Sequence, residues 1–549
     1  MLTPTILSLL AVFNFWEPFI AAQPTAPIVN LGYARYQGVF DGTTNITSFL
    51  GMRFAAAPVG KLRWQAPNPP LDENDKGVQK ADTQPAQCSQ AEQGYADRNP
   101  FRLNSTGHHN SGVERRQSGD APTVPPTSED CLFLNVQYPG NTVPITGLPV
   151  LVYIHGGGYV LSGASLYDGS YLIEQSSHED IVVVLQYRLG LFGFLAGKEI
   201  KEDGALNAGL LDQNFAFRWI RQHISKFGGD PERVTLLGKS AGAGSVLQHI
   251  IAEDGKTSPQ LFRGAIAISP FFPPQYKYDE RIPKALYKQV VNEVNCTSAQ
   301  DTLACLRSAE TTALQDANAK MVLEGFYGTY TFVPVVDGEF ITRRPTDALK
   351  RGKINGEFLY AVNNAEEGSI YVNTAATNPL GAGDFAAQLF PTLGSKEVAA
   401  VDRIYRDMGS PFDQQNLIIG DATFICPAYY LLDTFGDRAF KSEFAVPPAN
   451  HLNDIPYYFP SASSLTPINF NNTDFIEAFV RSFVDFTVFL DPNVKINAST
   501  ITPEWGLYRS NPGGVEMVFN KTAAGGEGEG EPDIRVGRSD GALLDRCSG

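Results

Sequence analysis

Nearly uninterrupted apolar runs recur in the middle of the chain, at "LPVLVYI" (148–154), "IVVVLQYRL" (181–189) and "RVTLL" (233–237). Runs without polar alternation are typical of strands buried on both faces of a parallel sheet. Between the last two runs, "NAGLLDQNFAFRWIRQHISKF" (207–227) has apolar residues at helical spacing. This order of strands and helices predicts an α/β fold in which a mixed, mostly parallel β-sheet is flanked by helices.

The rest of the pattern predicts one large domain with polar additions. Residues 89–130, called the polar segment below, are rich in Pro, Gly and Ser and are too polar to build a core. "FIEAFVRSFVDFTVFL" (475–490) predicts a late amphipathic helix, and residues 523–549 form a low-complexity tail. Residues 23–522 can therefore form a single domain, since large α/β domains reach this length.

Charge excludes some classes of partner. The formal net charge of the 549-residue chain is −16. Acidic surfaces repel phosphate groups, so neither nucleic acid nor an anionic membrane surface is expected as a partner.

The beginning of the chain predicts export. Residues 6–15 form an apolar core, though no Lys or Arg precedes it, and residues 20–22 offer a small-residue cleavage site, so residues 1–22 are expected to be a signal peptide. The apolar run is too short to span a membrane comfortably, so no stable membrane anchor is expected. Six N-x-S/T sequons fit a secreted glycoprotein. They begin at Asn45, Asn104, Asn295, Asn471, Asn497 and Asn520.

The six cysteines are even in number, and in an oxidising compartment disulfides are expected. They are Cys88, Cys131, Cys296, Cys305, Cys426 and Cys547. Their spacing does not choose among the possible pairings. None lies in a C-x-x-C pair, so no metal site is expected.

Two serines lie in a G-x-S-x-G sequence, Ser240 and Ser539. This signature has meaning on a sharp turn between a buried strand and a helix. A strand pattern precedes Ser240 and a helical pattern follows it, whereas Ser539 follows a Gly/Glu-rich stretch, so Ser240 is the predicted nucleophile. The same site reads "GKS", but Arg233 stands where a phosphate-binding loop needs its first glycine.

A nucleophilic serine needs a base to accept its proton and a third group to hold that base. In the chain order Ser, acid, His, only His249 and His451 of the seven histidines follow Ser240. His249 lies on the helix that begins after Ser240, more than two turns along, and is expected to point away. His451, in a loop flanked by Pro and Asn, is the predicted base.

The acid and the oxyanion donors follow strands. Glu366 and Glu367 come after the apolar run 358–362, and the residues themselves do not choose between the two. Three glycines (156–158) follow the run 148–154 and can aim N–H groups into a cavity. With the N–H of Ala241 they predict an oxyanion hole.

Together these pieces resemble the type-B carboxylesterase/lipase family over most of residues 28–522. "SEDCLFLNV" (128–136) resembles one family signature and "VTLLGKSAGAGS" (234–245) the serine signature, while "FVPVVDGEF" and "GGDPERVTLLG" also match. The resemblance implies an α/β-hydrolase fold.

The resemblance also implies roles for single residues. It assigns the acid to Glu367, directly before Gly-Ser, the base to His451, and the oxyanion donors to Gly157, Gly158 and Ala241. It further implies that the polar segment is a lid-like loop closed by a disulfide and that the C-terminal tail is pinned by another. The implied pairs are Cys88–Cys131, Cys296–Cys305 and Cys426–Cys547.

The chain departs from the family pattern at Lys239, where a glutamate usually precedes the serine. A cation there is expected to oppose protonation of His451 and to repel cationic substrates. The polar segment has no Trp, which such esterases use to hold choline, and it lacks the apolar character of a lipase lid. Neutral, soluble esters are therefore the expected substrates.

The sequence thus predicts a secreted carboxylic ester hydrolase that forms an acyl-enzyme and needs no metal or cofactor. Two alternatives use the same site, an acyltransferase or lactone-forming enzyme and a lipase-type enzyme. A non-catalytic binding protein on this fold is a weaker alternative, because all three triad members are present. The physiological ester and the oligomeric state are not predicted.

Overall fold

The computed structural model describes residues 27–102, 126–510, 513–522 and 528–548. The predicted signal peptide, the Asn104 sequon and most of the polar segment lie outside these ranges.

The described residues form strands and helices that alternate through the middle of the chain. The strands, β1 to β16 in chain order, are Ile28–Asn30, Arg35–Gln37, Val39–Asp41, Ile46–Arg53, Val78–Lys80, Gln87–Cys88, Thr127–Ser128, Phe133–Pro139, Leu148–Ile154, Ile181–Leu185, Gly229–Lys239, Gly264–Ile268, Phe358–Asn364, Ala439–Phe444, Val515–Lys521 and Pro532–Arg538. The α-helices, α1 to α15, are Ser170–Gln175, Gly190–Phe194, Lys198–Asp203, Ala208–His223, Ala241–Ile251, Arg281–Glu293, Thr302–Ser308, Thr311–Leu323, Pro345–Lys350, Ala382–Leu389, Ser395–Tyr405, Pro411–Gly420, Cys426–Phe435, Thr473–Phe489 and Gly541–Ser548.

Eleven strands form one mixed sheet in the order β16-β15-β14-β13-β12-β11-β9-β10-β8-β4-β3. The seven strands from β15 to β10 run parallel, and the strands beyond them at both edges pair antiparallel. After β9 the chain first adds β10 on one side and then β11 on the other. Such a reversal opens a crevice at the carboxyl ends of the two strands, where ligands of α/β sheets bind.

Helices cover both faces of the sheet, as the unbroken apolar runs predict. Every residue of β9 and β10 is buried. Alternate side chains of β9 enter two different clusters, with Val150 and Val152 on the side of α4 and α5 and Leu151 and Tyr153 on the side of α1 and α14. This two-residue alternation follows from the pleat of a strand and gives the sheet a core on each face.

The C-terminal residues contain regular structure that their composition does not predict. β16 pairs antiparallel with β15 and extends the large sheet. Because this pairing uses backbone groups, it does not require the apolar pattern from which strands are recognised. α15 follows, and Arg546 on it lies 2.6 Å from the carboxylate of Asp421.

Three disulfides are present in the structure, and they are the pairs that the family resemblance implies. They join Cys88 to Cys131, Cys296 to Cys305 and Cys426 to Cys547. The first closes the polar segment at its base, and the last connects the start of α13 to α15.

The sequons within the described ranges are accessible to different degrees. Asn45, Asn295 and Asn471 are exposed, whereas Asn497 and Asn520 are half-buried. Their glycosylation stays a prediction. No helix in the described ranges has the length and apolar character needed to cross a membrane.

Candidate active site

Ser240 lies in the turn between β11 and α5 with φ 58° and ψ −123°. Residues other than glycine rarely adopt this conformation, and such strain needs support from the surrounding structure. The N–H of Ser240 donates to the carbonyl of Ile268 at 3.0 Å, and its carbonyl accepts from Gly244 at 2.8 Å and Phe271 at 3.1 Å. These bonds hold Ser240 at the carboxyl end of a central strand.

The turn requires glycine where the sequence has it. A Cβ atom on Gly242 would lie 1.9 Å from the carbonyl oxygen of Ile154, the last residue of β9. Only glycine lets α5 approach the end of β9 so closely. The small residues after Ser240 therefore serve this contact.

The glycine loop after β9 lies beside Ser240. A Cβ atom on Gly156 would come within 3.0 Å of the Cβ atom of Ser240. Gly157 and Gly158 have φ of +98° and +61°, and among the described residues neither N–H has a hydrogen-bond acceptor. The N–H of Ala241, in the first turn of α5, has no partner within its helix. The predicted oxyanion donors are thus amides without a hydrogen-bond acceptor in the described part of the chain, two of them in the loop whose Gly156 lies beside Ser240 and the third in the residue that follows Ser240.

His451 and Glu367 meet in the protein interior. His451 Nδ1 lies 2.6 Å from Glu367 Oε2, and both side chains are completely buried. Glu367 Oε1 accepts the N–H of Asn364 at 2.8 Å. The other ring nitrogen of His451, Nε2, has no hydrogen-bond partner among the described residues. The neighbouring Glu366 accepts a hydrogen bond from Asn416 instead, so of the two candidates Glu367 is the one that holds the imidazole.

The two buried groups have pKa values that suit a base and its orienting acid. Burial lowers the pKa of His451, although Glu367 opposes this effect. Burial by itself raises the pKa of Glu367, but the interactions with His451 and Lys239 outweigh it and lower that pKa. A neutral imidazole beside an ionised carboxylate is therefore the resting state near neutral pH.

Tyr371 and Phe424 complete the surroundings of the imidazole, and no motif in the sequence indicated either residue. The Tyr371 side chain interacts with that of Ser240, and its ring centroid lies 5.4 Å from that of His451. The Phe424 ring centroid lies 4.2 Å from that of His451. Tyr371, four residues after Glu367, thus lies near both the serine and the imidazole. Phe424 is carried by a π-helical turn, Asp421–Ile425, which no sequence pattern marks.

Lys239 is paired, which changes the effect expected from the sequence. Its Nζ lies 2.7 Å from Asp454 Oδ1 and 2.7 Å from Ser269 Oγ. Lys239 lowers the pKa of His451, as predicted, but Asp454 raises it. The cation therefore acts on the imidazole together with a partner of opposite charge.

A cavity of about 990 Å³, which includes the part open to solvent, is lined by Tyr371 and Phe424, the two aromatic neighbours of the imidazole, but not by His451 or Ser240 themselves. Its walls are mainly aromatic and proline side chains, and Asn99–Phe101 of the polar segment contribute to them. None of the described residues that line the cavity is Asp, Glu, Lys, Arg or His. The cavity therefore suits an uncharged, largely apolar ligand.

The rejected candidates lie in other surroundings. His249 Nε2 lies 2.9 Å from Gln213 Oε1, its ring packs on Phe217, and burial lowers its pKa to about 3. The Ser539 hydroxyl donates to Glu516 at 3.1 Å. Neither residue has the partners that a nucleophile or base requires.

Comparison with known proteins shows what the chain as a whole is similar to. The carboxylesterase family profile matches residues 25–524. Carboxylesterase patB of Penicillium expansum is 31% identical, over 87% of this chain and 90% of that protein. Secreted lipase 1 of Botryotinia fuckeliana is also 31% identical, over 92% of this chain and 90% of that protein.

Solved structures agree in fold. The crystal structure of Aspergillus niger EstA superposes with a TM-score of 0.79 at 28% identity, over 95% of this chain and 97% of that one. A PNB esterase superposes with a TM-score of 0.72 at 24% identity, over 95% and 100%. The predicted α/β-hydrolase fold is confirmed.

Proposed function

This chain belongs to the carboxylesterase family and is a serine carboxylic ester hydrolase, and we propose that it is secreted and cleaves neutral esters through an acyl-enzyme on Ser240. Three disulfides support export, since such bonds persist in oxidising compartments. The similarity to secreted lipase 1 of Botryotinia fuckeliana supports it as well.

The pair of His451 and Glu367, with Nε2 of the imidazole left unpartnered, is the observation that carries the mechanism. His451 Nε2 accepts the proton of the Ser240 hydroxyl as its oxygen attacks the ester carbonyl. Glu367 holds Nδ1–H and stabilises the imidazolium that forms. The amides of Gly157, Gly158 and Ala241 donate to the oxyanion.

Departure of the alcohol completes the acyl-enzyme, and the second half of the reaction then repeats these roles with water. The imidazolium gives its proton to the oxygen of the leaving alcohol, and the bond between that oxygen and the acyl carbon breaks. Water then attacks the acyl-enzyme while His451 accepts its proton. The carboxylic acid leaves, and the proton returns to the Ser240 oxygen.

The uncharged cavity supports the proposed preference for neutral esters. A charged group that entered it would lose hydration without gaining an ionic partner from the lining residues. Because Lys239 is paired with Asp454, this preference rests on the cavity more than on repulsion by the lysine.

The direct test is hydrolysis of p-nitrophenyl butyrate by the protein and by Ser240→Ala, with Ser539→Ala as the matched control. We expect Ser240→Ala to lose turnover while keeping its melting temperature, and Ser539→Ala to keep its activity. Diethyl p-nitrophenyl phosphate should release one p-nitrophenol and leave its phosphoryl group on the peptide that contains Ser240. Turnover retained by Ser240→Ala refutes the proposed nucleophile.

A lipase-type activity is the second candidate, favoured by the apolar cavity and by relatives that are named lipases. The polar composition of the polar segment argues against activation at an oil interface. Rates measured across the solubility limit of tributyrin decide between the two. A smooth saturation curve supports the esterase, and a jump at the limit supports the lipase.

A further inference from the structure

Lys239 places a buried ammonium group directly before the nucleophile. The side chain is 1% exposed, and its Nζ contacts Asp454 Oδ1 at 2.7 Å, Ser269 Oγ at 2.7 Å and Asn364 Oδ1 at 3.4 Å. A buried ion pair contributes little to stability on balance, because the loss of hydration offsets the attraction of the charges. Its position directly before Ser240 therefore points to a role in the reaction.

Asp454 connects this ammonium to the loop of the base. It lies three residues after His451 and is completely buried. Its Oδ1 also accepts from Asn364 Nδ2 at 2.9 Å, and its Oδ2 accepts from the hydroxyl of Tyr458 at 2.9 Å. The ion pair thus joins the end of β11, which carries Ser240, to the loop that carries His451.

Ser269 connects the ammonium to the acid. A lysine ammonium has donors and no acceptor, so Ser269 Oγ must accept from Lys239. The hydroxyl hydrogen of Ser269 is then directed away from the ammonium, and the Ser269 side chain is one of the groups that lower the pKa of Glu367. The N–H of Ser269 donates to Val362 at 2.8 Å, which fixes its backbone.

We propose that Lys239 and Asp454 act together as positioning residues for the triad. Lys239 directs the Ser269 hydroxyl toward the carboxylate of Glu367. The opposite charges of Lys239 and Asp454 balance each other, so that the buried ammonium that orients Ser269 places no net charge beside His451. This inference rests on the proposed roles of Glu367 and His451 and extends them to a second layer of residues.

The ionisable groups that face His451 come from several elements. Glu367 follows β13, Lys239 ends β11, and Asp454 lies in the histidine's own loop. Tyr371 stays neutral at ordinary pH, because burial raises its pKa well above 10. Loss of the Lys239 charge favours the imidazolium and raises the pKa of His451. Loss of the Asp454 charge disfavours the imidazolium and lowers that pKa.

The test is the pKa of His451, measured by NMR on protein labelled with 13C-histidine, in Lys239→Met, Asp454→Asn and the double variant. We expect Lys239→Met to raise the pKa and Asp454→Asn to lower it, each by about half a unit to one unit, with the double variant within about 0.3 units of the parent. Single-variant shifts of the same sign, or a double-variant shift of a full unit, overturn the proposal.

A single variant leaves a buried charge unpaired and can fail to fold. The double variant removes both charges, so a full-unit shift in its His451 pKa overturns the balance even if the single variants are lost. Ser269→Ala keeps the ion pair and tests the contact with Glu367. We expect its kcat on p-nitrophenyl butyrate to fall about tenfold with KM unchanged. An unchanged kcat overturns the role of Ser269.

The NMR titration reads the imidazole whether or not esters are hydrolysed. Ester turnover that persists in Ser240→Ala removes the proposed function but leaves the titration result standing. If the single variants show no pKa shift or shifts of the same sign while ester turnover depends fully on Ser240, this inference is wrong and the proposed function still stands.

Discussion

His451 Nδ1 lies 2.6 Å from Glu367 Oε2 in a region that solvent does not reach. A carboxylate at this place holds the imidazole through Nδ1 and leaves Nε2 without a partner among the described residues, and it stabilises the positive charge that appears during the proposed reaction. Both effects require the charge of Glu367 and not only its shape.

Glu367→Gln is therefore expected to lower kcat by about 10²- to 10⁴-fold, because the amide can hold the ring in the wrong tautomer and offers no charge. Steady-state kinetics with p-nitrophenyl butyrate measure this loss. Glu366→Gln is the matched control, since Glu366 is exposed and contacts Asn416. Equal losses in the two variants would show that the acid has been misassigned.

The pH dependence should reflect burial of the imidazole. Burial lowers the pKa of His451 from its usual 6.5, and the base must be neutral to accept a proton. Activity is lost as pH falls through that lowered pKa, so the acid limb of kcat/KM should lie below pH 6.5. Phe424→Ala admits water to the ring and should move this limb to higher pH.

The exposed Phe489→Ala provides the control for that variant, because its ring lies at the end of α14. Its pH profile should coincide with that of the parent protein. An acid limb above pH 7 in the parent protein would contradict the desolvated environment of His451.

The uncharged cavity predicts discrimination between substrates of equal shape. Butyrylthiocholine and its neutral carbon isostere, 3,3-dimethylbutyl thiobutyrate, differ only in charge. We expect the neutral ester to have a kcat/KM at least about tenfold higher, since no lining carboxylate compensates the lost hydration of the cation. Equal values would show that the alcohol group does not enter this cavity.

The nucleophile turn should tolerate no side chain at Gly242. A methyl group there would lie 1.9 Å from the carbonyl of Ile154, so Gly242→Ala must displace α5 from β9. We expect a destabilisation of at least about 2 kcal/mol and loss of turnover. Gly381→Ala is the control, since its Cβ meets nothing within 4 Å. Thermal unfolding of both variants measures the difference, and similar melting temperatures would contradict the close contact.

Local patterns account for the parts of the molecule that the sequence predicted. The buried strands before Ser240 and Glu367 are apolar runs, and the late helix, predicted at 475–490, is observed as Thr473–Phe489. These features depend on periodicity and on small residues at a turn, which are visible in any short window. The order Ser, acid, His along the chain and the small number of histidines reduced the candidate bases to His451.

The features that could not be predicted from the sequence depend on contacts between distant segments of the chain. Glu366 and Glu367 are neighbours in one turn, and only the three-dimensional position of the imidazole separates them. The pairing of Lys239 with Asp454 joins residues more than two hundred positions apart. β16 is formed by backbone pairing with β15, and its own residues carry little apolar signal.

The Cys426–Cys547 bond is the covalent link between the C-terminal helix and the body of the protein. It closes a loop of 121 residues, and closing a long loop lowers the entropy of the unfolded chain. Replacement of both cysteines by serine should therefore destabilise the protein by about 2–4 kcal/mol. Because Cys426 follows the π-turn that carries Phe424, the same variant should also lose activity at a lower temperature than the parent protein.

Chemical denaturation with urea and residual activity after heating measure these two effects. Cys296→Ser/Cys305→Ser is the matched control, since it opens a loop of 9 residues and should cost less. If both double variants lost the same stability, the long loop would add nothing, and the C-terminal helix would be held by contacts such as Arg546 with Asp421. Arg546→Ala, made in the variant without the Cys426–Cys547 disulfide, would then cost more stability than removal of the disulfide did.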